Sequence, residues 1–187
     1  MSPENLIEFL GILEKLKCNT RHSWTTNGRH ESVAEHSWRL AVLAMLMEED
    51  FPDLDMNKVI RMCLIHDWGE ALTGDIPAFL KTDEDEETEE AAIDKLVEML
   101  PEPLSFNLHS LFKELSALTS KEAILVKALD KTETLIQHNE AGTATWLPLE
   151  YELNLTYGDE VCCHFDKTKQ LREKVREHTL RLIEEEP

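Results

Sequence analysis

Apolar residues recur at steps of three and four along most of the chain, and no segment sustains the apolar–polar alternation of a half-buried strand. Leu6, Leu10, Leu13 and Leu16 share one face of a segment opened by Ser2 and Pro3, which predicts a helix to about residue 17. A loop is expected from Cys18 to Glu31, with Arg21, Trp24 and Arg29 set among small polar residues. Ser32-Val33-Ala34-Glu35 has the form of a capping box, in which serine and glutamate each satisfy a backbone N–H. It predicts a helix to about Glu49, with Val33, His36, Leu40, Leu43 and Met47 on its inner face. The next helix, about Met56 to Thr73, carries Val59, Met62, His66 and Glu70 on one stripe, with Asp67 alongside. That stripe turns from oily to ionisable. Gly74 stops the helix, and Asp75-Ile76-Pro77 leads the chain away.

From Asp83 to Glu90 seven of eight residues are acidic, and Ile93, Leu96, Val97 and Leu100 follow before Pro101. The acidic run reads as a solvated helix start rather than a cation trap. A helix is expected over Leu104 to Leu118. Thr119-Ser120-Lys121-Glu122 then has the form of a second capping box, opening a helix through Ile124, Leu125, Leu129 and Leu135 to Gly142, with Asp130 at the edge of its apolar face. After an irregular stretch containing Trp146, Pro148 and Gly158, a last helix runs from about Phe165 to Ile183. The whole reads as an all-α, compact single domain over residues 1–187, built from about six to eight helices.

Charge narrows the function. With 19 basic and 38 acidic residues the net charge is −19, which argues against broad binding to nucleic acid or to an anionic membrane surface. An anionic ligand must meet a local positive site, and a divalent cation with a few arginines or lysines would supply one. No run approaches the roughly 18 apolar residues of a membrane span, and no basic-then-apolar leader precedes the first helix, so the cytoplasm is the expected compartment. Cys18, Cys63, Cys162 and Cys163 show no CxxC spacing and read as reduced thiols.

The chemistry lies in His36, the pair His66-Asp67 and the helical Asp130. Two imidazoles and two carboxylates suit one divalent ion of the Mn, Fe, Co, Ni or Zn kind, and four protein ligands leave a position for water, whose pKa the ion lowers. Glu70, one turn beyond His66-Asp67, is the first candidate for general acid or base, and Asp75 could orient the attacking water or share the proton work. Arg21 and Arg29 could neutralise phosphate oxygens in a forked geometry, and Lys131, beside Asp130, is a further candidate. Trp24 would either cover a substrate or seal the core. His22, His30, His109, His138, His164 and His178 read as surface or packing residues.

The order His36, then His66-Asp67-Trp68-Gly69-Glu70, then Gly74-Asp75, then Asp130 resembles the HD-domain metal-dependent phosphohydrolases. Glu31 to Ser37, with His66-Asp67-x-x-Glu70-x-x-x-Gly74-Asp75, resembles their small 5′-deoxynucleotidase branch. The resemblance runs from about residue 9 to 140, leaving a divergent helical segment at 141–187. It implies a helical fold, a homodimer, and one divalent ion per subunit on His36, His66, Asp67 and Asp130. It also implies Glu70 and Asp75 in catalysis, Arg21 at the substrate phosphate, and hydrolysis of a deoxynucleoside 5′-monophosphate. Where the characterised bacterial enzymes follow that arginine with tryptophan, this chain has His22, and Trp24 comes three residues after Arg21. The rival expectations are an enzyme of the same metal core acting on nucleoside triphosphates or alarmone nucleotides, and a catalytically silent metal- or nucleotide-binding regulator.

Overall fold

The computed structural model of the chain describes residues 1–185. Helix α1 (Pro3–Leu13) starts from Ser2, whose side chain accepts the Asn5 N–H. The segment expected as a loop is instead a short antiparallel hairpin, β1 (Thr20–Trp24) against β2 (His30–Ser32), paired Thr20 to Ser32 and Trp24 to His30. Its turn needs Gly28 at φ +82°, which follows Asn27, but the strands are too short for an alternating pattern to be legible. Ser32 ends β2 and caps α2 (Val33–Leu46), and the expected capping box is present: the Glu35 carboxylate accepts the Ser32 N–H at 2.9 Å.

The helix expected over 56–73 is broken. α3 (Met56–Ile65) ends where the backbone tightens into three-residue turns, with the Trp68 N–H on the Ile65 carbonyl at 3.0 Å and the Glu70 N–H on that of Asp67 at 3.1 Å. The single turn α4 (Glu70–Thr73) follows. Gly69 is required there, because α5 (Asp83–Glu98) passes so close that a Cβ would lie 2.7 Å from Glu89 Cγ. The acidic run forms the first turns of α5, capped by Thr82. Helix α6 (Leu104–Ala117) precedes α7 (Lys121–Ala141), whose cap is Ser120, accepting the Ala123 N–H, so the expected box at Thr119 is displaced by one residue.

The stretch after Gly142, expected as irregular, contains α8 (Glu150–Thr156) and the single turn α9 (Asp159–Cys162) before α10 (Asp166–Glu184). The buried positions of α8 are Glu150 and Asn154, so it has no apolar stripe to read. Among the described residues eight helices of seven residues or more and two single turns accompany the hairpin, an all-α domain as expected. Leu40 and Ala44 of α2, Val59 and Met62 of α3, and Leu125 and Leu129 of α7 form the main core. Phe9, Leu96, Leu108 and Phe112 tie α1, α5 and α6 beneath Ile65. Arg172 of α10 is buried and donates to the carbonyls of Tyr157 and Asn154 at 3.0 Å each, anchoring the end of α8. No described helix is long and apolar enough to cross a membrane.

Candidate active site

His36 sits in the first turn of α2 and points inward, with no exposed surface. His66 and Asp67 occupy the turn in which α3 ends, and Asp130 lies midway along α7. Three helices that share one core therefore aim four donors at one place. His36 Nε2 lies 3.1 Å from Asp130 Oδ1 and 4.0 Å from Asp67 Oδ2, and His66 Nε2 lies 3.0 Å from Asp67 Oδ2 and 3.9 Å from Asp130 Oδ1. Donor atoms of His36, His66 and Asp67 fall within 4.8 Å of one another, close enough for one ion to reach them all.

The hydrogen bonds on the far side of each ring decide which nitrogen faces this point. His66 Nδ1–H donates to the Cys63 carbonyl at 2.9 Å, so Nε2 carries the lone pair, and that atom is buried without a hydrogen bond. His36 Nδ1–H donates to the Glu133 carboxylate, which orients its Nε2 in the same way. A carboxylate or carbonyl behind each imidazole is the support that metal-bound histidines use, so the donor set fits a divalent ion. Burial alone would raise Asp67, yet the adjacent His66 and His36 bring it to about 2. Asp130 is likewise held well below its ordinary value, against burial, by Lys127 and both imidazoles. Burial and Arg21 disfavour a charge on His36, but Asp130 and Glu133 outweigh them and raise it to about 9, so a cation taken up at Nε2 must displace the proton held there against Asp130. The carboxylates are thus held as anions and ready for a cation.

Beside the donors opens a cavity of about 390 Å³ whose wall includes Arg21, Asp67, Glu70, Asp75, Asp130 and Lys131. Glu70 is 7% exposed and its Oε2 has no hydrogen bond. Burial, then the charges of Asp67, Asp75 and Glu89, push its carboxyl up to about 10. The Asn19 side-chain amide, donating to the Glu70 carbonyl at 2.5 Å, fixes this turn to the start of the hairpin. Asp75 is also raised, by burial first and Asp67 after it, with Arg21 opposing. Arg21 donates to Glu31 and to Thr134 Oγ1, each at 3.1 Å, which leaves further N–H groups of its fork toward the cavity.

Lys131 lines the cavity with its ammonium on Glu160 at 2.5 Å and over the Tyr157 ring. Two expected substrate contacts are not brought in. Arg29 is exposed and forks onto Glu35, bracing the start of α2, and Trp24 packs on His30 with ring centroids 3.9 Å apart. Sequence reasoning missed Glu133 and Lys127, each three residues from Asp130 on one face of α7, a spacing that could have revealed them. It also read His22 and His138 as surface or packing residues, whereas both lie in the cavity wall beside the buried Glu150.

A family model described as an HD domain matches residues 13–169. Human 5′-deoxynucleotidase HDDC2 is 36% identical over 140 residues, which cover 73% of this chain and 68% of the human protein. The 5′-deoxynucleotidase HDDC2 of Dictyostelium discoideum is 34% identical over 146 residues, 73% and 77% of the two chains. A crystal structure from Magnetospirillum magnetotacticum MS-1, described as a predicted metal-dependent phosphohydrolase, matches with a TM-score of 0.83 at 26% identity, covering 98% of this chain and 95% of that one.

Proposed function

The chain belongs to the HD-domain family, and from that premise we propose that it is a metal-dependent phosphomonoesterase acting on nucleoside 5′-monophosphates, deoxynucleotides foremost, and yielding nucleoside and phosphate. The observation that carries this reading is the convergence of His36, His66, Asp67 and Asp130 beside a cavity that also holds Arg21, Glu70 and Asp75. Those first four side chains would hold the ion. When bound, a divalent ion of the Mn, Co, Fe, Ni or Zn kind polarises the phosphate and makes a water more acidic.

The chain's own groups do the rest. Arg21, braced by Glu31 and Thr134, takes the phosphate oxygens, and Lys131 adds positive charge at the same wall. As water oxygen attacks phosphorus, Asp75 takes the proton it gives up. Glu70, which burial keeps protonated, gives its proton to the 5′-oxygen as the P–O bond breaks. Exchange through solvent restores both carboxyls. Family resemblance supports a homodimer working in the cytoplasm, and the exposed Trp38, Met45 and Leu46 of α2 offer apolar surface for a partner copy.

The test is a nucleotide panel run on chelated protein after return of single divalent ions. Inorganic phosphate from monophosphates is the expected product, whereas pyrophosphate or tripolyphosphate would point to the triphosphate or alarmone chemistry of the rivals. Glu70→Ala is expected to lower kcat by about 10² to 10⁴ with the ion still bound; full turnover would remove Glu70 from its role.

A further inference from the structure

We propose that the end of this cavity remote from the metal ligands, formed by His22, His138 and Asn154 with Glu150 behind them, reads the nucleobase of the substrate. This deepens the phosphohydrolase reading and rests on it.

The cavity follows helix α7. Asp130, Thr134 and His138 all line it, and the eight residues from Asp130 to His138 span about 12 Å of helix axis. With its phosphate at Arg21 and the ion that Asp130 would help to hold, an extended nucleotide lays its base at the His138 end. There the wall changes character. Phe79 stands edge-on to the His22 ring, with centroids 5.8 Å apart, and Leu153 lies nearby, so the sides are apolar.

The closing polar groups are buried and incompletely bonded. Asn154 is 2% exposed and its side chain pairs with that of His138, yet its Nδ2 donates to nothing. Glu150, 1% exposed, accepts the Leu147 N–H at 2.6 Å and that of His22 Nε2 at 3.2 Å. Its second oxygen lies 3.2 Å from the same His22 Nε2 and 3.6 Å from His138 Nδ1, with hydrogen-bond geometry to neither. An unpaired buried polar group is costly, and folded chains rarely keep several in one spot unless something pairs with them.

A flat heteroaromatic ring suits this slot: its faces meet Phe79 and Leu153, and its edge meets the amide and the imidazole. A carboxamide both donates and accepts, matching a base edge on which donor and acceptor are neighbours. A sugar phosphate lacking a base would leave those groups unpaired. Asn154 and Glu150 belong to α8, so the segment outside the recognisable motifs supplies the discrimination.

The experiment compares, by titration calorimetry on the full chain with Mn²⁺ present, non-hydrolysable 5′-methylenephosphonate analogues of the four deoxynucleotides and the base-free deoxyribose 5-phosphonate. The wild type is expected to favour at least one nucleotide analogue by tenfold or more, and Asn154→Leu to reduce that ratio by about tenfold. His138→Leu serves as the second variant should Asn154→Leu fold poorly. Equal binding of base-bearing and base-free ligands by the wild type, or a ratio that survives both substitutions, overturns the subsite. Phosphate release from the natural nucleotides is scored separately. A protein that keeps base-dependent binding but releases no phosphate would sink the hydrolase reading and leave the subsite standing.

Discussion

A carboxylate behind an imidazole decides which ring nitrogen keeps the proton, and for His36 that carboxylate is Glu133. Glu133 is 1% exposed, accepting from His36 Nδ1 on one oxygen and ion-paired with Arg39 Nε at 2.8 Å on the other. Burial would raise its carboxyl, but His36, Arg21 and Arg39 hold it below the ordinary value. It therefore stays an anion that strengthens the ring as a donor. Glu133→Gln keeps the shape and removes the charge, and it is expected to weaken Mn²⁺ or Zn²⁺ binding by about 10 to 100-fold in competition with a chromophoric chelator. Unchanged affinity would mean that the ring needs no such support. His36 was legible because an ionisable residue stood on an apolar stripe. Glu133 left a weaker trace, its spacing of three from Asp130 on α7, while its pairing with His36, 97 positions away, is made only by the fold.

Helix α2 announced itself through its cap, Ser32 with Glu35, and α7 through a cap read at Thr119 that stands one residue later, at Ser120. The break between α3 and α4 did not, because its cause is the approach of α5 over Gly69, a contact between distant segments. The hairpin escaped notice since three-residue and five-residue strands carry too few positions for a period of two, and α8 because it buries polar side chains. Contacts between helices also make stability depend on acidity away from the site. Lys58 of α3 meets Glu114 of α6 and lies 3.9 Å from Glu122 of α7. Burial tends to raise the Glu114 carboxyl, yet Lys58 and Ser120 hold it below 4.5. A folded-state pKa lower than the unfolded one means the contribution is full above about pH 4.5 and fades as pH falls through the folded value. Glu114→Gln should thus cost about 1 kcal/mol or less in urea unfolding at neutral pH, with the gap to wild type closing in acid. A gap that widened on acidification would contradict the sign.

At the scale of the molecule the question is how much of the fold depends on the ion. The donors come from α2, the end of α3, and α7, and those helices already share Leu40, Met62, Leu125 and Leu129 in one core. The donor carboxylates are offset internally by Lys127 on Asp130 and by the imidazoles of His66 and His36 on Asp67. The apo protein is accordingly expected to keep its helices, unlike small domains whose only core is the metal. Binding to the folded state alone adds about 2.7 kcal/mol when free ion stands at a hundred times its Kd. In a domain of this size each kcal/mol moves Tm by about 2 to 4 °C, so chelation should lower Tm by roughly 5 to 10 °C with little change in far-UV circular dichroism beforehand. Loss of the helical signal on chelation would show that the ion, and not the shared core, gathers these helices. A Tm indifferent to every added divalent ion would mean that the four side chains hold none, and the hydrolytic chemistry assigned to them would fall with it.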